Sequence, residues 1–114
     1  MTDERIIIGM IEEIEVKGTD NSTERLQARI DTGATKSSID YKLASKLKLG
    51  PVIESRLVKS AHGSKLRPVI EATINIRGKE LTSKFTLADR DHMKYRVLIG
   101  QNILKKGFLI DPNK

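Results

Sequence analysis

The sequence predicts one mainly β domain with one clear helix and a short second helix near its C-terminal end. Apolar residues are mostly Ile, Leu and Val, with two Phe, two Tyr and no Trp, which is typical of a β-rich core. Several segments alternate apolar and polar residues with the period of a half-buried strand, whereas one carries an apolar stripe at helical spacing. The 114 residues suit a single domain, 1–114, and no repeat or linker divides them.

The first part of the chain predicts three strands. Residues 6–8 and 12–17 form the first two, and a polar run, 18–23, makes the turn that follows. Residues 25–30 then return as the third strand.

The best helix candidate is residues 40–49. Gly50-Pro51 follows it, and a glycine followed by proline is a typical helix stop. Three apolar residues form the stripe that would face the core: Leu43, Ala44 and Leu47.

Residues 52–88 predict strands broken by two turns, one near 61–64 and one at Gly78-Lys79. Between the turns, alternate positions are apolar: Ile70, Ala72, Ile74 and Ile76. A charged loop, 88–92, follows the last of these strands.

The C-terminal part predicts a short strand, a helical turn and a last strand. Residues 95–99 form the strand, which ends at Gly100. Residues 101–106 form one or two helical turns closed by Gly107, and residues 108–110 form the last strand.

The motif Asp31-Thr32-Gly33-Ala34 directly follows the third predicted strand and is the most informative feature of the chain. It places a carboxylate, a hydroxyl and a glycine at a sharp turn, which resembles the turn that holds one carboxylate against a second in aspartic proteases, where the pair activates water. The motif occurs once, so a second copy of the chain would have to supply the second carboxylate. Aspartate before glycine is also common in ordinary turns, which leaves a structural role as the alternative.

With a second motif, residues 97–104, the chain resembles the retropepsin-like aspartic proteases over nearly its whole length. This second motif looks like the hydrophobic strand, glycine and C-terminal helix that pack behind the active-site turn in that fold. The hairpin near 61–64 lies where these proteases place the flap that closes over substrate. The resemblance implies a closed β-barrel, the single lobe of the acid protease fold.

The resemblance assigns catalysis to Asp31, paired with its copy across a two-fold axis. Thr32 would bond across the dimer to the opposite turn, and Gly33 would allow the backbone to approach substrate closely. Ala34 cannot donate a hydrogen bond to the carboxylates as serine could. We therefore expect the pair to titrate at higher pH and activity to be greatest nearer neutral pH.

Two further groups of residues have expected roles. The flap tip would comprise Ala61, His62, Gly63 and Ser64, with Gly63 supplying mobility and His62 solvated or in contact with substrate. The apolar support behind the turn would comprise Leu98, Ile99 and Gly100.

Two positions depart from the retropepsin pattern. Retropepsins usually place an acid one residue after Ala34 and an arginine directly after Gly100, and these form an ion pair near the dimer interface. Here the positions hold Thr35 and Gln101, so both charges are replaced together and a hydroxyl–amide hydrogen bond could substitute. The change weakens the expectation that this chain dimerises as retropepsins do.

Within that group, the sequences of residues 28–38 and 106–111 look closest to those of small prokaryotic proteins labelled ATP-dependent zinc proteases. The sequence itself does not favour zinc, since it has no His-Glu-x-x-His motif, no cysteine, and two histidines thirty residues apart, His62 and His92. It also lacks a glycine-rich loop followed by lysine that could hold nucleotide phosphates. We therefore predict neither a metal nor any other cofactor.

Charge is unevenly distributed along the chain. Residues 1–31 carry eight acids and four bases, a net charge of −4, whereas residues 32–114 carry seven acids and seventeen bases, a net charge of +10. This basic part could attract an acidic polypeptide or nucleic acid. No run of consecutive bases and no interleaving of aromatic and basic residues favours nucleic acid, so we do not expect it as a partner.

The leading hypothesis is therefore a homodimeric aspartic endopeptidase whose substrate is a polypeptide, with an acidic or glutamate-rich tail as one candidate. That candidate comes from the association of similar small proteins with ligases that append glutamates. The alternative is a non-catalytic peptide-binding or scaffold domain of the same fold. The apolar stretch 6–11 is too short to span a membrane and lacks the basic flank of a signal peptide, so we expect a cytoplasmic protein without a membrane partner.

Overall fold

The computed structural model describes residues 4–114, which form nine strands and two short helices. The strands are β1 Ile6–Ile8, β2 Ile11–Lys17, β3 Thr23–Ile30, β4 Ser37–Asp40, β5 Glu54–Ser60, β6 Gly63–Ile76, β7 Lys79–Ala88, β8 Val97–Ile99 and β9 Phe108–Ile110. The helices are α1 Tyr41–Lys46 and α2 Gln101–Leu104. Neither helix of this part of the chain is long and apolar enough to cross a membrane.

Six of the strands close into a barrel. The order in the main sheet is β2-β3-β8-β4-β7-β6-β5, and β2 also pairs antiparallel with β6, from Ile14↔Ile76 to Lys17↔Thr73. Because β2 pairs with both β3 and β6, the sheet closes on itself and only β5 is left outside the ring. β1 and β9 form a separate parallel pair. This mainly β barrel with two short helices confirms the predicted fold class.

Apolar side chains at alternate positions along the strands fill the barrel interior. The apolar side chains at every second position of the barrel half of β6 are all buried, as the sequence predicts: Ile70, Ala72, Ile74 and Ile76. The other half of β6 pairs with β5 from Glu54↔Val69 to Ser60↔Gly63 and leaves the barrel as a long hairpin. The alternation of apolar residues with a period of two therefore accounts for the buried side chains in the barrel half of β6, whereas the hairpin half is largely exposed.

The predicted end of the first helix is wrong. Helix α1 ends at Lys46 rather than at residue 49, and Gly50-Pro51 does not stop it. Lys48 has a left-handed backbone, φ 57°, and the Leu49 N–H turns back to the Ala44 carbonyl at 2.9 Å. The apolar stripe is nevertheless buried as predicted. The helix starts one residue late because Asp40 is its N-cap, accepting from the Leu43 N–H at 3.2 Å.

Strand β4 is absent from the sequence prediction. It pairs parallel with β7 and antiparallel with β8, and thereby links the two halves of the barrel. Its only large apolar residue is Ile39, so no alternating pattern reveals it. The predicted strand 95–99 and helical segment 101–106 are both shorter in the structure, as β8 and α2.

Candidate active site

The Asp31 turn is held by hydrogen bonds at the end of β3. The Asp31 N–H donates to the Ile99 carbonyl at 2.9 Å, which ties the turn to β8. The Asp31 carboxylate accepts from the Gly33 N–H at 3.0 Å, and its carbonyl accepts from the Ala34 N–H at 3.2 Å. Asp31 is half-buried, whereas Thr32 and Gly33 are exposed. The turn therefore presents a fixed carboxylate beside a backbone that other molecules can approach.

Gly100 permits a close crossing behind this turn. A Cβ added there would lie 2.6 Å from the carbonyl carbon of Lys36 and 2.8 Å from the carbonyl oxygen of Ala34. The next residue, Gln101, donates its N–H to that same Ala34 carbonyl at 2.8 Å. Only glycine fits this contact, so the segment between β8 and α2 can pack directly against the Asp31 turn.

A buried polar network locks the crossing in place. The Gly100 N–H donates to the Ser37 hydroxyl at 2.9 Å, and that hydroxyl donates to the Asn102 side-chain oxygen at 2.7 Å. The Asn102 side-chain nitrogen donates in turn to the Ser83 hydroxyl at 3.1 Å and to the Lys84 carbonyl at 3.0 Å. The sequence analysis assigned no role to the side chains of Ser37, Ser83 and Asn102, because short polar side chains carry no burial signal until β4 is known.

The two positions that depart from the retropepsin pattern are close together but bond differently from the expectation. The Gln101 side-chain nitrogen donates to the backbone carbonyl of Thr32 at 2.8 Å, not to the Thr35 hydroxyl. Thr35 contributes its own backbone carbonyl, which accepts from the Asn102 N–H at 3.2 Å. The amide therefore braces the turn from within one chain, where the retropepsin pattern has an ion pair.

The predicted flap tip is shorter than expected. Ala61 and His62 form the turn itself, whereas Gly63 and Ser64 are already the first residues of β6, and Gly63 has φ 110°. Hairpin residues beyond the tip are also exposed, including the cross-strand pair Leu57 and Leu66 at 55% and 72%. A hairpin with so little burial has little to restrain its motion.

A cavity of about 510 Å³ lies between this hairpin and the barrel. Ala34 and Thr35, at the end of the Asp31 turn, line one side, and residues 56–59 with Arg67 of the hairpin line the other. Leu98 contributes to its floor. Of the predicted site residues, Ala34 and Leu98 therefore meet in one cavity, whereas residues 31–33 of the turn and the tip residues 61–64 are not part of its wall.

The cavity wall is strongly basic. It contains no carboxylate and five cationic residues: Lys36, Arg56, Lys59, Arg67 and Arg90. Arg56 is paired with Glu54 at 3.3 Å, just outside the wall, and Lys84 contacts the same carboxylate at 3.0 Å. The hydrogen bond from Lys84 holds the pKa of Glu54 below its usual value, so that acid stays charged and is already paired.

Metal ligands are not clustered in the described part of the chain. Among residues 4–114, no three His, Cys, Asp or Glu side chains lie close enough together to hold a metal ion. His92 lies in the loop after β7, with its Nδ1 3.8 Å from an Asp89 oxygen.

The family model described as the retropepsin-like aspartic endopeptidase RimB matches residues 40–114, about two thirds of the chain. The chain belongs to the RimB-like family. The matched segment of this RimB-like chain includes the hairpin, β8 and α2. The Asp31 turn precedes it, so the turn's role depends on the geometry above.

Curated relatives match part of the RimB-like chain. A probable alpha-L-glutamate ligase of Shewanella pealeana is 36% identical over 64 residues, which are 55% of this chain and 14% of that protein. A protein of the same name from Desulfotalea psychrophila is 35% identical over 63 residues, again 14% of its length. The chain thus spans about a seventh of the length of these relatives.

Solved structures share the fold. The Legionella pneumophila protein Lpg0085, of unknown function, has a TM-score of 0.63 at 24% identity, covering 96% of this chain and 95% of that one. The EIAV protease in complex with the inhibitor HBY-793 has a TM-score of 0.65 at 18% identity, covering 84% of this chain and 85% of that one. The Simian Foamy Virus (mac) protease has a TM-score of 0.62 at 23% identity, covering 83% and 91%. These likenesses establish the retropepsin fold of the chain.

Proposed function

We propose that this chain is an aspartic endopeptidase that works as a homodimer, with residues 1–114 as one domain and Asp31 as its catalytic residue. The observation that carries the proposal is the Asp31 turn, whose carboxylate is fixed by the Gly33 N–H at 3.0 Å and whose outer residues are exposed. The buried network behind Gly100 supports it, because catalysis requires a rigidly held carboxylate. Membership of a retropepsin-like family supports it further.

In the proposed mechanism, the Asp31 carboxylates of two subunits face each other and share one proton, because two like charges at that distance cannot both ionise at low cost. The ionised carboxylate takes a proton from a bound water, whose oxygen bonds to the carbonyl carbon of the scissile peptide. The protonated carboxyl donates a hydrogen bond to the carbonyl oxygen. The carbon–nitrogen bond then breaks as the amine nitrogen takes the proton that the first carboxylate accepted from the water, which returns the pair to one shared proton. Thr32 would bond across the dimer to the opposite turn.

We further propose that the substrate is an acidic, glutamate-rich polypeptide held in extended form beneath the hairpin. The five cationic residues of the cavity wall support this, since an acidic chain would neutralise them. The relatives that match this chain are named as ligases of glutamate, which is consistent with a glutamate-containing substrate here. The hairpin would act as the flap that closes over the bound chain.

The experiment compares the wild-type protein with Asp31→Asn on an unstructured, glutamate-rich protein at several pH values between about pH 4 and pH 8, because the activity of a carboxylate pair depends on its protonation. Asp20→Asn is the matched control, since Asp20 also accepts from a backbone N–H two residues later, at 3.4 Å, but lies in an exposed turn. We expect cleavage by wild type and Asp20→Asn, unaffected by a chelator, and none by Asp31→Asn. Cleavage that persists in Asp31→Asn would contradict the proposal.

A non-catalytic peptide-binding domain is the second candidate. It is favoured by the replacement of the retropepsin ion pair with Thr35 and Gln101, where Gln101 bonds within its own chain. A protein that binds acidic peptides as a monomer and cuts none of them would support this candidate over the protease.

A further inference from the structure

A row of paired residues crosses four strands of the barrel and passes below the cavity. Leu98 of β8 pairs with Arg29 of β3 on one side and with Ser38 of β4 on the other, and Ser38 pairs with Thr86 of β7. Directly paired residues of neighbouring strands point to the same face of a sheet. Leu98, Ser38 and Thr86 all line the cavity, so Arg29 lies at the end of the row on the cavity side.

Arg29 is also close to Asp31. The two residues are separated by the buried Ile30, and alternation along β3 places Arg29 and Asp31 on the same face. Two residues of strand span ~7 Å. An extended substrate whose scissile bond lies at Asp31 would therefore place a neighbouring side chain within reach of Arg29.

Arg90 lies beyond the other end of this row, four residues after Thr86. It lies in the loop after β7, is half-buried, and lines the cavity. Its Nε donates to the Tyr95 carbonyl at 3.0 Å, and its backbone N–H donates to the buried Asp40 carboxylate at 2.8 Å. The guanidinium is thus fixed in place before any substrate arrives, which lowers the entropic cost of binding.

The electrostatics show that Arg90 shares its surroundings with Arg29 and Asp31. Burial lowers the pKa of Arg90, the charge of Arg29 lowers it further, and the charges of Asp31 and Asp40 act in the opposite direction. Within residues 4–114, no carboxylate lies within ion-pair distance of either Arg29 or Arg90. The two guanidinium groups are thus within electrostatic range of each other, and neither has a direct carboxylate partner in the described part of the chain.

We propose that Arg29 and Arg90 together bind the side-chain carboxylate of a substrate residue directly beside the scissile bond. The proposal rests on the proposed protease function and adds the residues that select an acidic side chain at one position of the substrate. A guanidinium presents its donors as a planar fork that matches a carboxylate, which gives the pair more discrimination than a lysine could. The other cationic residues of the cavity would attract an acidic chain without selecting for a carboxylate at one particular position.

The test first locates the bond that wild type cuts in a glutamate-rich peptide, and then replaces each glutamate beside that bond with glutamine. The quantity compared is the ratio of kcat/KM for the glutamate and glutamine peptides. We expect Arg29→Gln and Arg90→Gln to lower this ratio by on the order of tenfold to a hundredfold, the range for a charged hydrogen bond. Arg67→Gln, which removes the same charge from the hairpin wall of the cavity, should leave the ratio unchanged.

A second experiment measures peptide binding instead of cleavage, so that its result depends neither on catalysis nor on a loss of folding. The same peptides, carrying a fluorophore, are titrated by anisotropy onto Asp31→Asn protein with and without Arg29→Gln, a change at an exposed strand residue. Arg90→Lys keeps the charge but not the fork, so we expect it to restore part of the preference. Equal glutamate-to-glutamine ratios in the Arg29→Gln, Arg90→Gln and parent proteins would overturn the proposal. If the preference depends on these arginines while Asp31→Asn still cuts, the protease mechanism fails and the binding site stands.

Discussion

Gly100→Ala tests whether the Asp31 turn depends on the close crossing behind it. The new methyl would lie 2.6 Å from the Lys36 carbonyl carbon and 2.8 Å from the Ala34 carbonyl oxygen, whereas ordinary contacts begin at 3.4 Å. The backbone would have to separate, and it is held by the Gly100–Ser37 and Gln101–Ala34 hydrogen bonds at 2.9 and 2.8 Å. Overpacking of this kind costs about 1–3 kcal/mol, and weakening one hydrogen bond adds about 1 kcal/mol.

We therefore expect Gly100→Ala to lower the free energy of unfolding by about 2–4 kcal/mol, measured by urea denaturation followed by circular dichroism. Gly33→Ala is the matched control in the same turn. Its methyl would meet only the Asp31 Oδ1 at 3.4 Å, an ordinary contact, so its stability should stay close to that of wild type. Equal midpoints for Gly100→Ala and wild type would refute the steric reasoning.

Two further changes address buried carboxylates. Asp40→Ala removes a fully buried acceptor from the Leu43 and Arg90 N–H groups, so urea denaturation should show a loss of about 2–4 kcal/mol; a loss below about 1 kcal/mol would contradict this. Burial alone would raise the pKa of Glu12, but hydrogen bonds from Arg77 and a backbone N–H outweigh it and lower the pKa below 4.5. Stability gained in this way is present above pH 4.5 and is lost as pH falls through the lowered value. Glu12→Gln should therefore be less stable than wild type at pH 7, and a stability difference that does not shrink on acidification would contradict the pairing with Arg77.

The strands that face the barrel interior could be predicted because their burial follows a simple period. Apolar residues at every second position, from Ile70 to Ile76, identify the buried half of β6 without any knowledge of its partners. The Asp31 turn and the segment around Gly100 were predicted for a related reason, since each places residues of distinctive chemistry directly after a strand. Local pattern therefore accounts for the barrel wall and for the turn.

What could not be predicted depends on pairing between distant segments. β4 is specified by its pairing with β7 and β8 and by hydrogen bonds of its polar side chains, such as Ser37 to Asn102 at 2.7 Å. The same is true of Arg29 and Arg90, which are 61 positions apart in sequence and come within electrostatic range of each other only through the pairing of β3, β8, β4 and β7. The end of α1 was not predicted because Lys48 adopts a left-handed backbone conformation, which is not expected for a lysine.

The most direct test of the central claim is a mixing experiment, because the account requires one Asp31 from each of two subunits. Wild type and Asp31→Asn are co-expressed with different tags in increasing proportion, and cleavage is measured per wild-type subunit. If paired carboxylates carry the chemistry, mixed dimers are inactive, and equal amounts of the two chains lower the activity per wild-type subunit to about half. Activity per wild-type subunit that stays constant at every proportion would contradict a shared active site.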